Sequence, residues 1–147
     1  MKMGPLQNAP QRRQEYFAYS TGRLAAIAVG ATVNTQILIQ ADADFLIEKL
    51  TYYADLAGVA QTSGARIVPN VTVLITASSS GVQIMNNPVP IPAMFGTGDL
   101  PFILPTPRLL GANSQLQIQL VSFEAAVTPL ITLNFHGRKI YALERRV

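Results

Sequence analysis

The run from Pro88 to Arg108, P-V-P-I-P-A-M-F-G-T-G-D-L-P-F-I-L-P-T-P-R, constrains this chain most, because six of its ten prolines fall there. Each proline holds φ at about −65° and removes a backbone donor, so neither an α-helix nor a central strand is expected to run through. Ile91, Met94, Phe95, Phe102, Ile103 and Leu104 nevertheless make the segment apolar. An extended, polyproline-like connection is expected, with side chains that need burial. Gly96 and Gly98, with Asp99, allow one sharp reversal in its middle. The run reads as a covering strap or an association surface, with Met94, Phe95 and Phe102 as candidate contacts. Arg108, which ends it, either pairs with Asp99 or crosses an interface to another subunit.

Around this strap the sequence reads as β. Leu24–Val29 is a short apolar run ending at Gly30, and Thr32–Gln40 alternates with Val33, Ile37 and Ile39 on one face. Phe45–Asp55 fits two periods, a helix through Leu46, Leu50 and Tyr53 or a strand through Leu50, Tyr52 and Ala54; its β-rich surroundings favour the strand. Residues 58–65 read as a loop. V-T-V-L-I-T-A at Val71–Ala77 has high β propensity, and Ser78–Gly81 reads as a hairpin loop leading to Val82–Met85. Gln115–Phe123 is the cleanest alternation, with Leu116, Ile118 and Leu120 inward and glutamines outward. Leu130–His136 alternates again, and Gly137 is placed to bend or bulge the chain before Arg138. Seven or eight short strands with little helix signal predict an all-β, jelly-roll-like β-sandwich, a closure that limits exposed edges. The expected organisation is an N-terminal arm over residues 1–22 and a sandwich domain over 23–147. Residues 11–19 read as a short helix or an extended arm, which either docks on a neighbour or folds back on its own body. Arg12, Arg13, Tyr16, Phe17 and Tyr19 are its adhesive groups.

Composition limits the functions open to such a fold. Of the 147 residues 49% are hydrophobic and only 13% charged, against roughly 25% charged in an average soluble domain. So few charges leave a surface that is uncharged polar, or apolar and covered by partners, which points to an assembly. The net charge of +3 is uneven: residues 1–23 and 138–147 together carry +6 and the body carries −3. Basic ends, Arg145 and Arg146 included, suit an acidic partner, a neighbouring copy or nucleic acid, or are simply solvated. Nucleic-acid binding by the net-negative body is not expected, because aromatic and basic residues do not interleave there. No apolar run reaches membrane-spanning length. Leu24–Val33 has a signal-peptide-like core but a long leader containing Glu15, so it reads as mature structure.

Catalytic chemistry has little to build on. There are no cysteines, and His136 is the single histidine. By alternation His136 shares a face with Thr132 and Asn134, which makes it a polar solvent-face or interface residue. Asp42 and Asp44 offer two carboxylates where a hard cation wants about six oxygens, so a turn is favoured over a metal site. Gly96-Thr97-Gly98 lacks the helix a phosphate cradle needs, and the Asn70-Val71-Thr72 sequon matters only in a secreted chain.

Three stretches carry a likeness: D-A-D-F at Asp42–Phe45, the strap with P-V-P at its start and L-P-F-I-L-P-T-P-R at Leu100–Arg108, and L-N-F-H-G-R-K-I-Y at Leu133–Tyr141. With these the chain, from about Thr32 to Leu143, resembles small virion structural proteins of tailed bacteriophages, namely capsid decoration (cement) or minor capsid proteins. That resemblance implies a β-sandwich module of the virion, at the capsid surface, made in the host bacterial cytoplasm. The implied partners are the major capsid protein and further copies of itself, as a trimer or dimer, with no small-molecule substrate and no cofactor. The expectation is thus a non-enzymatic protein that bridges neighbouring shell subunits, its strap included in the self-associating surface. A neck or tail ring protein is the first alternative. A jelly-roll carbohydrate-binding module is the second, weakened by the absence of Trp and by Tyr52 and Tyr53 pointing to opposite faces of a strand.

Overall fold

The computed structural model describes residues 12–57, 66–78, 83–125 and 127–142. Among the described residues, eight strands and one short helix follow in order: β1 (Gln14–Ser20), β2 (Thr32–Leu38), β3 (Asp44–Leu56), β4 (Val71–Ala77), β5 (Val89–Pro90), α1 (Ile91–Met94), β6 (Phe102–Leu110), β7 (Gln115–Ser122) and β8 (Pro129–Ile140). The strands form two sheets, β1-β8-β3-β6 and β2-β7-β4-β5. Every ladder is antiparallel, with β1 beside β8, β2 beside β7, β3 beside β6 and β4 beside β5. Those four pairs are the rungs of one long hairpin wound on itself, joined by the β3–β8 and β4–β7 ladders. This is the jelly-roll sandwich.

The core lies between the sheets and follows the alternation of each strand. Phe45, Ile47, Leu50, Ile131, Leu133 and Phe135 enter from the first sheet. Ile37, Val71, Val73, Ile75, Leu116, Ile118 and Leu120 enter from the second. Burying each large aliphatic or aromatic side chain contributes about 1.5–3 kcal/mol before ordering costs are subtracted. Ile27 adds a further buried side chain from the segment before β2, which runs beside β8 through the Leu24 and Ile27 N–H groups donating to the Ile131 and Pro129 carbonyls.

The strap departs from a uniformly extended connection. Residues 91–94 make one helical turn, closed by the Phe95 N–H donating to the Ile91 carbonyl at 2.8 Å. A proline in the first turn removes a donor that had no intrahelical partner, so Pro92 is tolerated. The expected reversal follows, with Thr97 and Leu100 bonded across it. A Cβ on Gly96 would lie 2.1 Å from the Leu100 carbonyl oxygen, so only glycine admits this return. Prolines 105 and 107 then sit within β6, which a strand can accommodate because β6 is an edge. Between Ile103, opposite Lys49, and Arg108, opposite Ile47, residues Leu104 to Pro107 stand opposite Glu48 alone. The prolines occupy that bulge, where no ladder bond is required of them.

A second irregularity lies between β3 and β8. Gly137 pairs with Ile47 and His136 with Lys49, so Glu48 is an extra residue in β3. Inward positions therefore change from Phe45 and Ile47 to Leu50 and Ala54. Gly137 does not itself bulge; it permits the bulge opposite. A Cβ there would fall 1.8 Å from the Leu46 carbonyl oxygen and 3.2 Å from the Ile47 Cα.

Residues 14–20, expected within an arm, form β1 and pair along β8 from Gln14↔Ile140 to Ser20↔Asn134. The sandwich thus includes residues before 23, and the alternative of a segment folded back on its own body is the one the chain adopts over this stretch. Residues 1–11, 58–65 and 79–82, together with Arg145 and Arg146, lie outside the described residues.

Gly137→Ala is expected to destabilise the fold by at least about 3 kcal/mol, since backbone atoms must move to admit the methyl group. Gly111→Ala, which meets nothing within 4 Å, serves as the near-neutral control. Equal urea midpoints for the two variants would show that the β3–β8 contact is not obligatory.

Candidate interaction surfaces

The residues expected at interfaces separate into three groups. Tyr19 and Phe95 belong to the protein's own core. Tyr19 packs edge-on to Phe45 with centroids 4.7 Å apart, and its hydroxyl accepts the Gln40 N–H at 2.9 Å. Phe95 meets Phe135 edge-on at 5.8 Å. Their large apolar rings face inward by strand alternation and the α1 turn, which corrects the expectation for both. Phe17, Met94 and Phe102 are half-buried against that core. Phe17 lies under the Lys139 ammonium, 4.1 Å from its ring centroid.

The basic groups near the ends largely meet acids of the body. Arg12 bonds Asp44 at 3.3 Å and donates through Nε to the Tyr141 carbonyl. Arg23 pairs with the buried Asp55, whose second oxygen has no hydrogen-bond partner among the described residues. Arg138 grips Glu48 through two nitrogens, and Lys139 pairs with Asp42 at 3.0 Å. Arg13 reaches Glu15 at 3.5 Å and stacks 4.0 Å over the Tyr141 ring. The uneven charge of the sequence thus has an internal use, with four body carboxylates answered by cations from the two basic segments. Lys139 is the sharpest case: its side chain is 6% exposed, and Gln40 and Asp42 both accept from its Nζ. Asp42 and Asp44 are thereby engaged in ion pairs, and the Asp44 carboxylate also accepts the Ala112 N–H.

Three surfaces remain open to partners. The first is the strap edge. Leu100 is 80% exposed, Ile103 67% and Leu109 57%, so the apolar residues that the strap does not bury stand in water. Ile103 and Leu109 lie opposite Lys49 and Leu46 on the outer face of the first sheet. Arg108, next to Leu109 in sequence and opposite Ile47, is also exposed, and among the described residues it has no ion-pair partner, Asp99 included.

The second surface is the outer side of the second sheet, a shallow depression of 710 Å³ lined by Asn34, Gln36, Leu74, Thr76, Gln117 and Gln119 among others. Its rows Asn34–Gln119–Leu74 and Gln36–Gln117–Thr76 contain no charge. The third is a groove of 460 Å³ beside the second half of β3, between the Thr97–Asp99 turn and the Arg66–Val68 segment. Both Tyr52 and Tyr53 line it. β6 pairs with β3 only as far as Leu50; beyond it Gly96 bonds to Leu50 and Tyr52, and the Ile67 N–H donates to the Ala54 carbonyl. Both tyrosines line the groove between these two short attachments, contrary to the alternation argument.

On the outer face of the first sheet, His136 joins three strands. Its Nδ1 and Nε2 are hydrogen-bonded to the hydroxyls of Tyr16 on β1 at 2.9 Å and Thr51 on β3 at 2.8 Å. Burial, and then the charge of Lys49 directly opposite on β3, lower its pKa from the ordinary 6.5. His136 is therefore the polar solvent-face residue that alternation indicated, tied into the sheet.

The folded state disfavours protonated His136, so the unfolded chain binds more protons as pH falls past 6.5. Stability present above that pH is lost as pH falls through the folded-state value. Melting curves from pH 7.5 to 5.0 are expected to show a larger drop for the wild type than for His136→Gln. Identical pH slopes would show that the three-strand tie does not depend on the neutral ring.

No protein-family model matches this chain, and no curated protein does. Solved structures to which it is similar include the infectious bursal disease virus VP2 subviral particle, at 11% identity and a TM-score of 0.34. That match covers 92% of this chain and 38% of the other. A structure of the Gt strain of the same virus matches at 11% identity and a TM-score of 0.27, covering 92% of this chain and 34% of the other. The chain thus spans little more than a third of each.

Proposed function

We propose that this chain is a non-enzymatic structural protein of a virus particle, and specifically a decoration or minor capsid protein that stabilises a shell by bridging neighbouring subunits. The observation that carries this reading is the strap edge, where Leu100, Ile103 and Leu109 stand exposed on a proline-stiffened segment. A stiff segment loses little entropy on docking, so its apolar area converts efficiently into binding. Exposed apolar residues gathered along one edge strand and the turn before it offer an association surface. The strap's inner side chains, Ile91 and Phe95, anchor it to the core, so force applied at the edge passes into the sandwich. Repetition on a symmetric lattice multiplies individually weak contacts. Jelly rolls also serve as lectin domains, and the groove lined by Tyr52, Tyr53, Arg66 and Asp99 favours sugar binding as the second reading.

Quantitative mass spectrometry of purified source virions is expected to find a simple fraction of one copy per major capsid subunit. A few copies per particle would move the protein to a neck or tail ring, and absence would return the sugar-binding reading, which a glycan array tests. Ile103→Lys with Leu109→Lys is expected to leave the melting temperature nearly unchanged, within about 0.5 kcal/mol, while abolishing binding to particles stripped of this protein. Undiminished binding would remove the strap edge from the interface.

A further inference from the structure

We propose that the outer edge of β2, which no described strand covers, pairs with the β2 edge of a second copy, antiparallel about a twofold axis through Thr35, joining the two second sheets into one. This goes beyond the proposed function, which does not itself require it. The four sheet edges are unequal. β6 carries two prolines and a bulge, β5 has two residues including Pro90, and β1 contains Glu15 paired to Arg13. These are devices that keep edges from pairing with other chains. β2 has none of them: its seven residues, T-V-N-T-Q-I-L, contain no charge, proline or glycine, and its register with β7 is unbroken.

The backbone phase shows which groups are open. Ser122 donates its N–H to the Ala31 carbonyl and Ile39 donates to the Ser114 carbonyl. In an antiparallel ladder, bonded positions alternate, so Ala31, Val33, Thr35, Ile37 and Ile39 bond towards β7. Thr32, Asn34, Gln36 and Leu38 turn their N–H and C=O groups to the free edge. The next residue in that phase, Gln40, has its N–H met by the Tyr19 hydroxyl. Among the described residues, the end of this row is covered and the rest has no backbone partner.

A second β2 fits that row in chemistry as well as phase. With Thr35 on the axis, Thr32 faces Leu38, Asn34 faces Gln36, Val33 faces Ile37 and Thr35 faces its own copy. The even-numbered pairs then become the bonded ones, closing roughly eight backbone hydrogen bonds. Amide meets amide, aliphatic meets aliphatic, and the uncharged rows beside β2 bring no like charges together.

Sedimentation of the full chain across a concentration range tests this with two variants at exposed positions. The wild type is expected to form dimers. Asn34→Lys with Gln36→Lys sets lysine against lysine across both amide pairs and should weaken dimerisation at least roughly tenfold. Asn34→Lys with Gln36→Glu sets lysine against glutamate in the same register and should restore it. A wild type that stays monomeric, an assembly of odd order, an undiminished dimer in the double-lysine variant, or no recovery with lysine and glutamate would each overturn the pairing. Particle binding is scored separately, so a dimer that ignores particles counts against the proposed function and leaves this inference standing.

Discussion

The thirteen residues of β3 and twelve of β8 lie side by side over nearly their whole lengths, and one irregularity in that ladder decides which side chains reach the core. Glu48 is the extra residue, and the bare Cα of Gly137 makes room for it. Because the side-chain period of a strand is two, the single insertion moves the inward set from odd to even positions. Phe45 and Ile47 then pack at one end and Leu50 and Ala54 at the other. Glu48 itself is held from the other side by Arg138, and the same step faces the bulge of β6 that houses Pro105 and Pro107. The prolines, the glycine and the ion pair are therefore parts of one accommodation.

That arrangement also explains the division of labour within the strap. Its first half returns Ile91 and Phe95 to the interior, where Phe95 meets Phe135 of β8. Its second half runs along the outer edge of β3, with no described strand beyond it, and Ile103 and Leu109 are exposed there. One segment is thus both a lid on the core and a border strip.

Much of this was legible in the sequence, for reasons that can be stated residue by residue. β4 and β7 alternate without interruption, so Val71–Ala77 and Leu116, Ile118 and Leu120 could be read directly. β3 fits a helical period through Leu46, Leu50 and Tyr53 as well as a strand period, and of those three only Leu50 is buried; the Glu48 insertion breaks the alternation that would have marked the strand plainly. β6 was concealed by prolines, whose cost disappears only if the strand is an edge and the ladder skips them. β1 was concealed by its exposure. Only Tyr19 of its seven residues is fully buried, and its partners lie more than a hundred positions away in sequence. The interface candidates divided along the same line: an aromatic side chain signals burial without saying against which molecule, so Tyr19 and Phe95 could not be told from Phe102 by type alone.

The winding of the hairpin has a consequence for how the chain reaches this state. From the β4–β5 rung outward to β1–β8, each rung closes a longer loop, and closure entropy rises with loop length. Dominance by such distant contacts is the signature of slow folding. The ion pairs Arg12–Asp44, Arg138–Glu48 and Lys139–Asp42 all sit where the outermost and costliest rung meets β3 and its preceding turn. Opposite charges concentrated there attract the two basic segments to the acidic body at longer range than the hydrogen bonds of a ladder act. Because several of these groups are partly exposed, dissolved salt weakens that attraction over a distance of about 10 Å at 0.1 M. Ionic strength thereby acts on the speed of assembly of this sandwich more than on the packing of its finished core.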